Sequence, residues 1–253
     1  MIRLALGRKE RGKTTLAVHM AEKVGRLVAF DPRGMIRRPG AVIVRDAESF
    51  RAYMAALSDG EIRALVYVPR DDLDLAFTVF AAEVRRWIDT MPDRALAVLV
   101  DEITFVTILT PDFEWALKCC RADTIHFFLT CHRPADVPVV IRSITNYWYL
   151  FQAYQEHDLD VIEKRCSPAT AAAVQTLDGS QMVCWDDDHA RLIEYRDPSA
   201  WYVNLRPGPP LPPPIDVDPV FSAARSCASL IRQCLTMMIR SRRRLAPRSR
   251  AAA

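Results

Sequence analysis

Gly7-Arg8-Lys9-Glu10-Arg11-Gly12-Lys13-Thr14 stands between the apolar run Ile2–Leu6 and a helix-like run over residues 15–24. The spacing is G-x-x-x-x-G-K-[ST], that of a phosphate-binding loop in its expected strand–loop–helix setting. A strand delivers the chain to a turn, and two glycines let the backbone curl around phosphate oxygens. The following helix aims its free N–H groups and the positive end of its dipole at them. Lys13 is placed to reach the β- and γ-phosphates and Thr14 to offer a hydroxyl to Mg²⁺, with Thr15 closing the set of residues that face the nucleotide. Lys9, Glu10 and Arg11 occupy loop positions where small residues are commoner, so they are expected to point outward.

Apolar runs and helix-like stretches alternate after the loop. Residues 27–31, 42–44, 64–68, 95–100, 125–130 and 147–151 read as strands. Residues 47–57, 73–88, 113–120, 159–164 and 169–177 read as helices. Residues 95–100 are continuously apolar, which suits a strand covered on both faces in the middle of a parallel sheet. A hairpin through 182–185 and 191–195 follows, closed by acidic residues 186–188. The pattern predicts an α/β fold: a P-loop NTPase domain with a mainly parallel central sheet and a small C-terminal β-hairpin appendage.

Seven of the thirteen residues from 207 to 219 are proline, a composition suited to a stiff spacer rather than to a packed element. The folded domain is therefore expected at 1–206, a linker at 207–219 and a tail at 220–253. The chain has 253 residues and a formal net charge of +3; the tail holds eight arginines and no acid, which leaves the remainder at −5. Leu230, Ile231, Cys234, Leu235, Met238 and Ile239 would share one side of a helix in that basic tail. Nucleic-acid, membrane-surface and partner-helix roles all fit such a segment. Seven cysteines with no C-x-x-C, and a core strand at the start in place of a signal peptide, predict a reducing, cytoplasmic setting. No stretch approaches the roughly 18 apolar residues of a membrane span.

Leu96-Ala97-Val98-Leu99-Val100-Asp101-Glu102 has the form of a Walker B strand. Asp101, at the carboxyl end of a buried strand, is expected to hold Mg²⁺ beside Thr14, and Glu102 to orient and deprotonate an attacking water. Both motifs fall at carboxyl ends of predicted parallel strands, where α/β sheets bind ligands. A further strand, 125–130, runs into Cys131-His132-Arg133-Pro134. Thr130 and His132 are candidates to contact the γ-phosphate, Thr130 the better placed, with His132 also readable as a capping or core histidine. Arg133 and Arg142 are candidates for a charge that reaches this site or a neighbouring subunit's.

Together, residues 7–14, 96–102, Leu129-Thr130-Cys131-His132-Arg133-Pro134 and Val139-Val140-Ile141-Arg142-Ser143 resemble the FtsK–HerA superfamily of DNA-pumping ATPases, above all its small viral and phage genome-packaging members. The likeness extends over about residues 1–196, through Glu156-His157-Asp158-Leu159-Asp160 and Leu177-Asp178-Gly179. His132 stands where the family more often has glutamine, and Lys9, Glu10 and Arg11 are a second departure. The resemblance implies a RecA-like P-loop NTPase that hydrolyses ATP with Mg²⁺ in a homo-oligomeric ring, commonly of six, with double-stranded DNA through the middle. A capsid or membrane-surface partner for the tail is a further expectation. The alternatives are an assembly ATPase resembling the zonula-occludens-toxin-like branch, which carries a membrane helix, and a small-molecule phosphotransferase, for which the hairpin after Gln181 makes a poor lid.

Overall fold

A computed structural model describes residues 1–70, 72–153, 155–178, 181–186 and 189–194. The expected linker and basic tail lie outside the described residues, as does the expected domain boundary at residue 206. Among the described residues, nine strands form one sheet in the order β3-β4-β2-β5-β6-β1-β7-β8-β9. They are β1 Ile2–Leu6, β2 Leu27–Phe30, β3 Val42–Val44, β4 Ala64–Tyr67, β5 Leu96–Val100, β6 Ile125–Cys131, β7 Tyr147–Leu150, β8 Gln181–Asp186 and β9 His189–Glu194. β3 through β7 pair in parallel, whereas β7–β8 and β8–β9 are antiparallel. The hairpin is thus the edge of the central sheet, continuous with β7, rather than a separate β layer.

The helices are α1 Lys13–Glu22, α2 Ala47–Asp59, α3 Leu73–Thr90, α4 Pro111–Cys119, α5 Val139–Ile144, α6 Glu156–Arg165 and α7 Pro168–Thr176. Their starts follow the sequence: Asp46 caps α2 by accepting from Ser49 N at 2.8 Å, and Asp72 caps α3 by accepting from Leu75 N at 3.0 Å. Successive side chains of a strand point to opposite faces, so each strand feeds two cores. On one face, Phe30 meets Phe77 of α3 at 5.2 Å between ring centroids, and Phe77 meets Phe113 of α4 at 4.9 Å. On the other, Leu16, Ala17 and Met20 of α1 pack with Ala29, Leu99, Phe128 and Tyr149.

This double covering is why β5 is apolar throughout, with every residue from Leu96 to Val100 wholly buried. α5 is the element that sequence periodicity did not single out. It is six residues long, too short for an amphipathic repeat to register. The strand order is what builds the site. β5, β6 and β1 are consecutive neighbours, with Val100 opposite Leu129 and Leu6 opposite Cys131. Their carboxyl ends therefore deliver Gly7, Asp101 and His132 to one edge.

Candidate active site

The loop at 7–14 depends on its two glycines. Gly7 has φ 139°, and a Cβ there would lie 2.6 Å from the Cβ of buried Phe151, so no side chain fits. Gly12 caps α1 in the left-handed region, at φ 88°, with no side-chain cap. The first-turn N–H groups of α1 thus remain available to an anion. Lys9 and Glu10 are exposed, as expected, and so is Arg8. Arg11 is instead half-buried and donates to Gln152 Oε1 at 3.3 Å.

Lys13 turns inward and is only 5% exposed. Its ammonium donates to Arg8 O at 2.8 Å and meets His132 Nδ1 at 3.0 Å. Burial lowers its pKa to about 8, against the opposing pull of Glu102 and Asp101. Burial, followed by the Lys13 charge, also lowers the pKa of His132. A neutral imidazole that accepts from Lys13 at Nδ1 carries its proton on Nε2, a tautomer inferred from these partners.

Asp101, wholly buried at the end of β5, is held by three side chains. Thr14 Oγ1 donates to its Oδ1 at 2.6 Å and Thr130 Oγ1 to the same oxygen at 2.9 Å, while Arg33 Nη2 pairs with Oδ2 at 2.9 Å. Glu102 follows at φ 58°, an unusual conformation for a residue with a side chain. Thr130 Oγ1 accepts from Glu102 N at 2.8 Å, and Glu102 Oε1 accepts from Thr104 Oγ1 at 2.6 Å and from His132 N at 3.1 Å. Glu102 Oε2 lies 3.2 Å from His132 Nε2 but makes no aligned hydrogen bond. It is the carboxylate oxygen left with a free lone pair.

The structure therefore brings together Gly7, Gly12, Lys13, Thr14, Asp101, Glu102 and Thr130 as the sequence predicts, but it reverses the expected ranking of Thr130 and His132. Thr130 is wholly buried and fully engaged with Asp101 and Glu102, which it braces; His132 is the group against Lys13. Arg133 does not face the phosphate loop. It pairs with buried Asp158 of α6 at 3.3 Å, and Asp158 Oδ1 also accepts from Ala135 N at 3.2 Å. Arg142 lies in the second half of α5, whose end adjoins Asn146, and Asn146 N donates to Ile2 O at 3.1 Å. That is the end of β1 remote from Gly7, so Arg142 cannot reach its own chain's loop. Its Nε is buried and makes no hydrogen bond.

Arg33 was not predicted. It follows Asp31-Pro32 at the end of β2, and only the pairing of β2 with β5 carries it to Asp101. Lys13, Thr14, Thr15, Arg33 and His132 border a cavity of about 560 Å³ that runs along α1 to Met35 and Arg37. The volume falls within the usual range for small-molecule sites, about 300–1,000 Å³. The oxygen donors Asp101 and Thr14 suit a hard divalent cation such as Mg²⁺, which takes its remaining ligands from waters and phosphates. The presence of the Arg33 cation on Oδ2 confirms that this position tolerates positive charge.

The fold and loop define a P-loop NTPase architecture, and comparison with solved structures agrees. No family model matches the chain, and no curated protein does. The genome packaging NTPase B204 from Sulfolobus turreted icosahedral virus 2, in complex with AMPPCP, superposes with a TM-score of 0.60 at 17% identity. That match covers 76% of this chain and 95% of the other. B204, the DNA-packaging ATPase from Sulfolobus turreted icosahedral virus, gives 0.57 at 20% identity over 76% and 95%. VirB4 of Thermoanaerobacter pseudethanolicus gives 0.51 at 12% identity over 76% and 88%. At such identities the likeness establishes the fold. Among the described residues, no helix is long and apolar enough to cross a membrane.

Proposed function

We propose that this chain hydrolyses ATP with Mg²⁺ and uses the energy to translocate or package double-stranded DNA. The observation that carries the reading is the 2.6 Å hydrogen bond from Thr14 to Asp101 beside Lys13 and Glu102, which joins two motifs 87 residues apart at one cavity. The shared fold with a genome packaging NTPase supports the motor assignment over a phosphotransferase. In this reading the N–H groups at 12–15 and the Lys13 ammonium bind the phosphates, and Thr14 with Asp101 holds the metal. Mg²⁺ there would neutralise charge on the terminal phosphates. Glu102 Oε2, the oxygen with a free lone pair, accepts the proton of the attacking water, while Thr130 and Thr104 fix its orientation.

The wider assembly belongs to the same proposal: a ring of identical subunits in the cytoplasm of a host cell or associated with a virion. Arg142, remote from its own loop, is assigned to a neighbouring subunit, and Arg133 to holding α6. Residues 1–206 form the ATPase domain, 207–219 the spacer, and 220–253 a tail that contacts DNA or, failing that, a capsid or membrane surface. The test is ATP hydrolysis by the purified full chain with and without double-stranded DNA. Stimulation by DNA, abolished by Lys13→Ala, is expected. Hydrolysis indifferent to DNA removes the motor reading, and a folded chain without hydrolysis removes the enzyme.

A further inference from the structure

Three side chains of the chain itself already engage the Asp101 carboxylate. Its Oδ1 accepts from two hydroxyls, and its Oδ2 is occupied by a guanidinium. The Arg33 side chain is one-quarter exposed, stands 5.8 Å over the ring of Phe105, and reaches over the cavity between Asp101 and His132. Only one of its three nitrogens has an acceptor. Nε is buried with no hydrogen bond, and Nη1 faces His132 Nε2 at 3.4 Å. With Nδ1 accepting from Lys13, that Nε2 carries a proton, so two donors face each other and Nη1 gains nothing.

We propose that Arg33 is a phosphate-binding cation of this site that holds Asp101 Oδ2 until a divalent cation takes that oxygen. The inference rests on the reading of the site as one for Mg²⁺ and a nucleoside triphosphate. Guanidinium and divalent cation compete for the same lone pairs of a wholly buried carboxylate, and a buried carboxylate without a cation is costly. Exchange of one for the other keeps Asp101 neutralised throughout. Once released, Arg33 has three unpaired N–H-bearing nitrogens in a cavity that also contains Lys13, and its planar fork matches a terminal phosphate. The Phe105 ring lies 5.8 Å from the guanidinium at its position on Asp101. Arg33 would thus deter metal from binding ahead of nucleotide and add affinity for phosphate when both are present.

Two measurements on the full chain test this without recourse to turnover. The first follows free Mn²⁺ by electron paramagnetic resonance as nucleotide-free protein is added. Arg33→Ala should bind Mn²⁺ about ten-fold more tightly than the parent, the equilibrium factor of one charge-assisted hydrogen bond to a buried carboxylate. Asp101→Asn should abolish that binding. The second titrates methylanthraniloyl-ATP in excess EDTA, where Arg33→Ala should lose about ten-fold in affinity because one phosphate contact is missing. Arg33→Lys should exclude Mn²⁺ nearly as well as the parent yet recover only part of the phosphate binding, since a point charge lacks the fork.

Unchanged Mn²⁺ binding together with unchanged metal-free nucleotide affinity would reduce Arg33 to a structural ion pair and overturn the proposal. If the alanine variant fails to fold, Arg33→Gln and Arg33→Lys carry the same comparison. A parent chain that binds no nucleotide under any condition removes the functional reading, whereas the Mn²⁺ comparison still decides the competition at Asp101.

Discussion

Replacing Lys13 with methionine is expected to stabilise the ligand-free chain at neutral pH while destroying nucleotide binding. Methionine keeps an unbranched stem of similar length in a position that is 5% exposed, and removes the charge. A pKa lowered from 10.5 to about 8 means that the ammonium is disfavoured in the fold by about 3 kcal/mol relative to the neutral amine. Methionine also forfeits two donated hydrogen bonds, to Arg8 O and His132 Nδ1, at about 1 kcal/mol each. The net gain at pH 7 is about 1 kcal/mol, or about 2–4 °C in Tm for a domain of this size.

The sign depends on pH. A lysine whose folded pKa lies below its unfolded one carries the full penalty below about pH 8 and sheds it between 8 and 10.5, as the folded chain releases the proton first. The parent therefore gains on the variant over that window, and the two stabilities should cross at about pH 9. Thermal unfolding of both proteins from pH 7 to 10.5, without nucleotide, reads this directly. A methionine variant less stable than the parent at pH 7, or a difference that does not change with pH, would refute the claim that a desolvated ammonium at Lys13 destabilises the fold.

Glu102→Gln should bind ATP nearly as well as the parent but turn it over about 10²–10⁴-fold more slowly, because the amide keeps the oxygen that accepts from Thr104 and loses the proton acceptor; equal loss of binding in a nucleotide titration would place Glu102 among the metal ligands instead. Thr130→Val should cost about 1–3 kcal/mol in denaturant unfolding, since it orphans the buried Glu102 N–H, and should lower turnover because both Glu102 and Asp101 lose their brace. Truncation before Pro207 should weaken DNA binding for all sequences alike and flatten its salt dependence by about 0.9 per lost phosphate contact on a double-logarithmic plot, with basal hydrolysis retained. An unchanged salt slope would reassign the tail to a capsid or membrane surface.

The strands and long helices were legible in the sequence because apolar runs and helical spacings report burial directly. β5 and α3 are the plainest cases. Arg3 shows why the reading of β1 survived a charged residue: it is 1% exposed, stacked 5.5 Å from the Phe128 ring and 5.1 Å from Tyr147, so its strand behaves as apolar. The site was legible where function resides in one stretch of chain, as at Gly7, Gly12, Lys13 and Thr14, or in a strand end, as at Asp101 and Glu102. It was not legible where the decisive fact is which strands lie side by side. The chain order β1-β2-β5-β6 does not reveal the spatial order β2-β5-β6-β1, and it is the pairing of β2 with β5 that brings Arg33 to Asp101. For the same reason Thr130 looked like a phosphate contact: its position at the end of β6 was readable, but the inward turn of its hydroxyl toward the neighbouring strand was not.

The charges within the site give it a reason to favour metal and phosphates together. Two cations, Lys13 and Arg33, stand against two carboxylates, Asp101 and Glu102, around a neutral imidazole, so the site is balanced before anything binds. A triphosphate alone would add negative charge beside Asp101 and Glu102, and a divalent cation alone would meet Arg33 on the one open carboxylate position. Arriving together, the metal would offset about half of the triphosphate charge: it would replace Arg33 on Asp101, and Lys13 and Arg33 would turn to phosphate. Of the Asp101 and Glu102 oxygens, Glu102 Oε2 is the one without a hydrogen bond, 3.2 Å from His132 Nε2. Turnover would thus wait on metal and phosphates arriving together, Glu102 Oε2 having its lone pair free throughout.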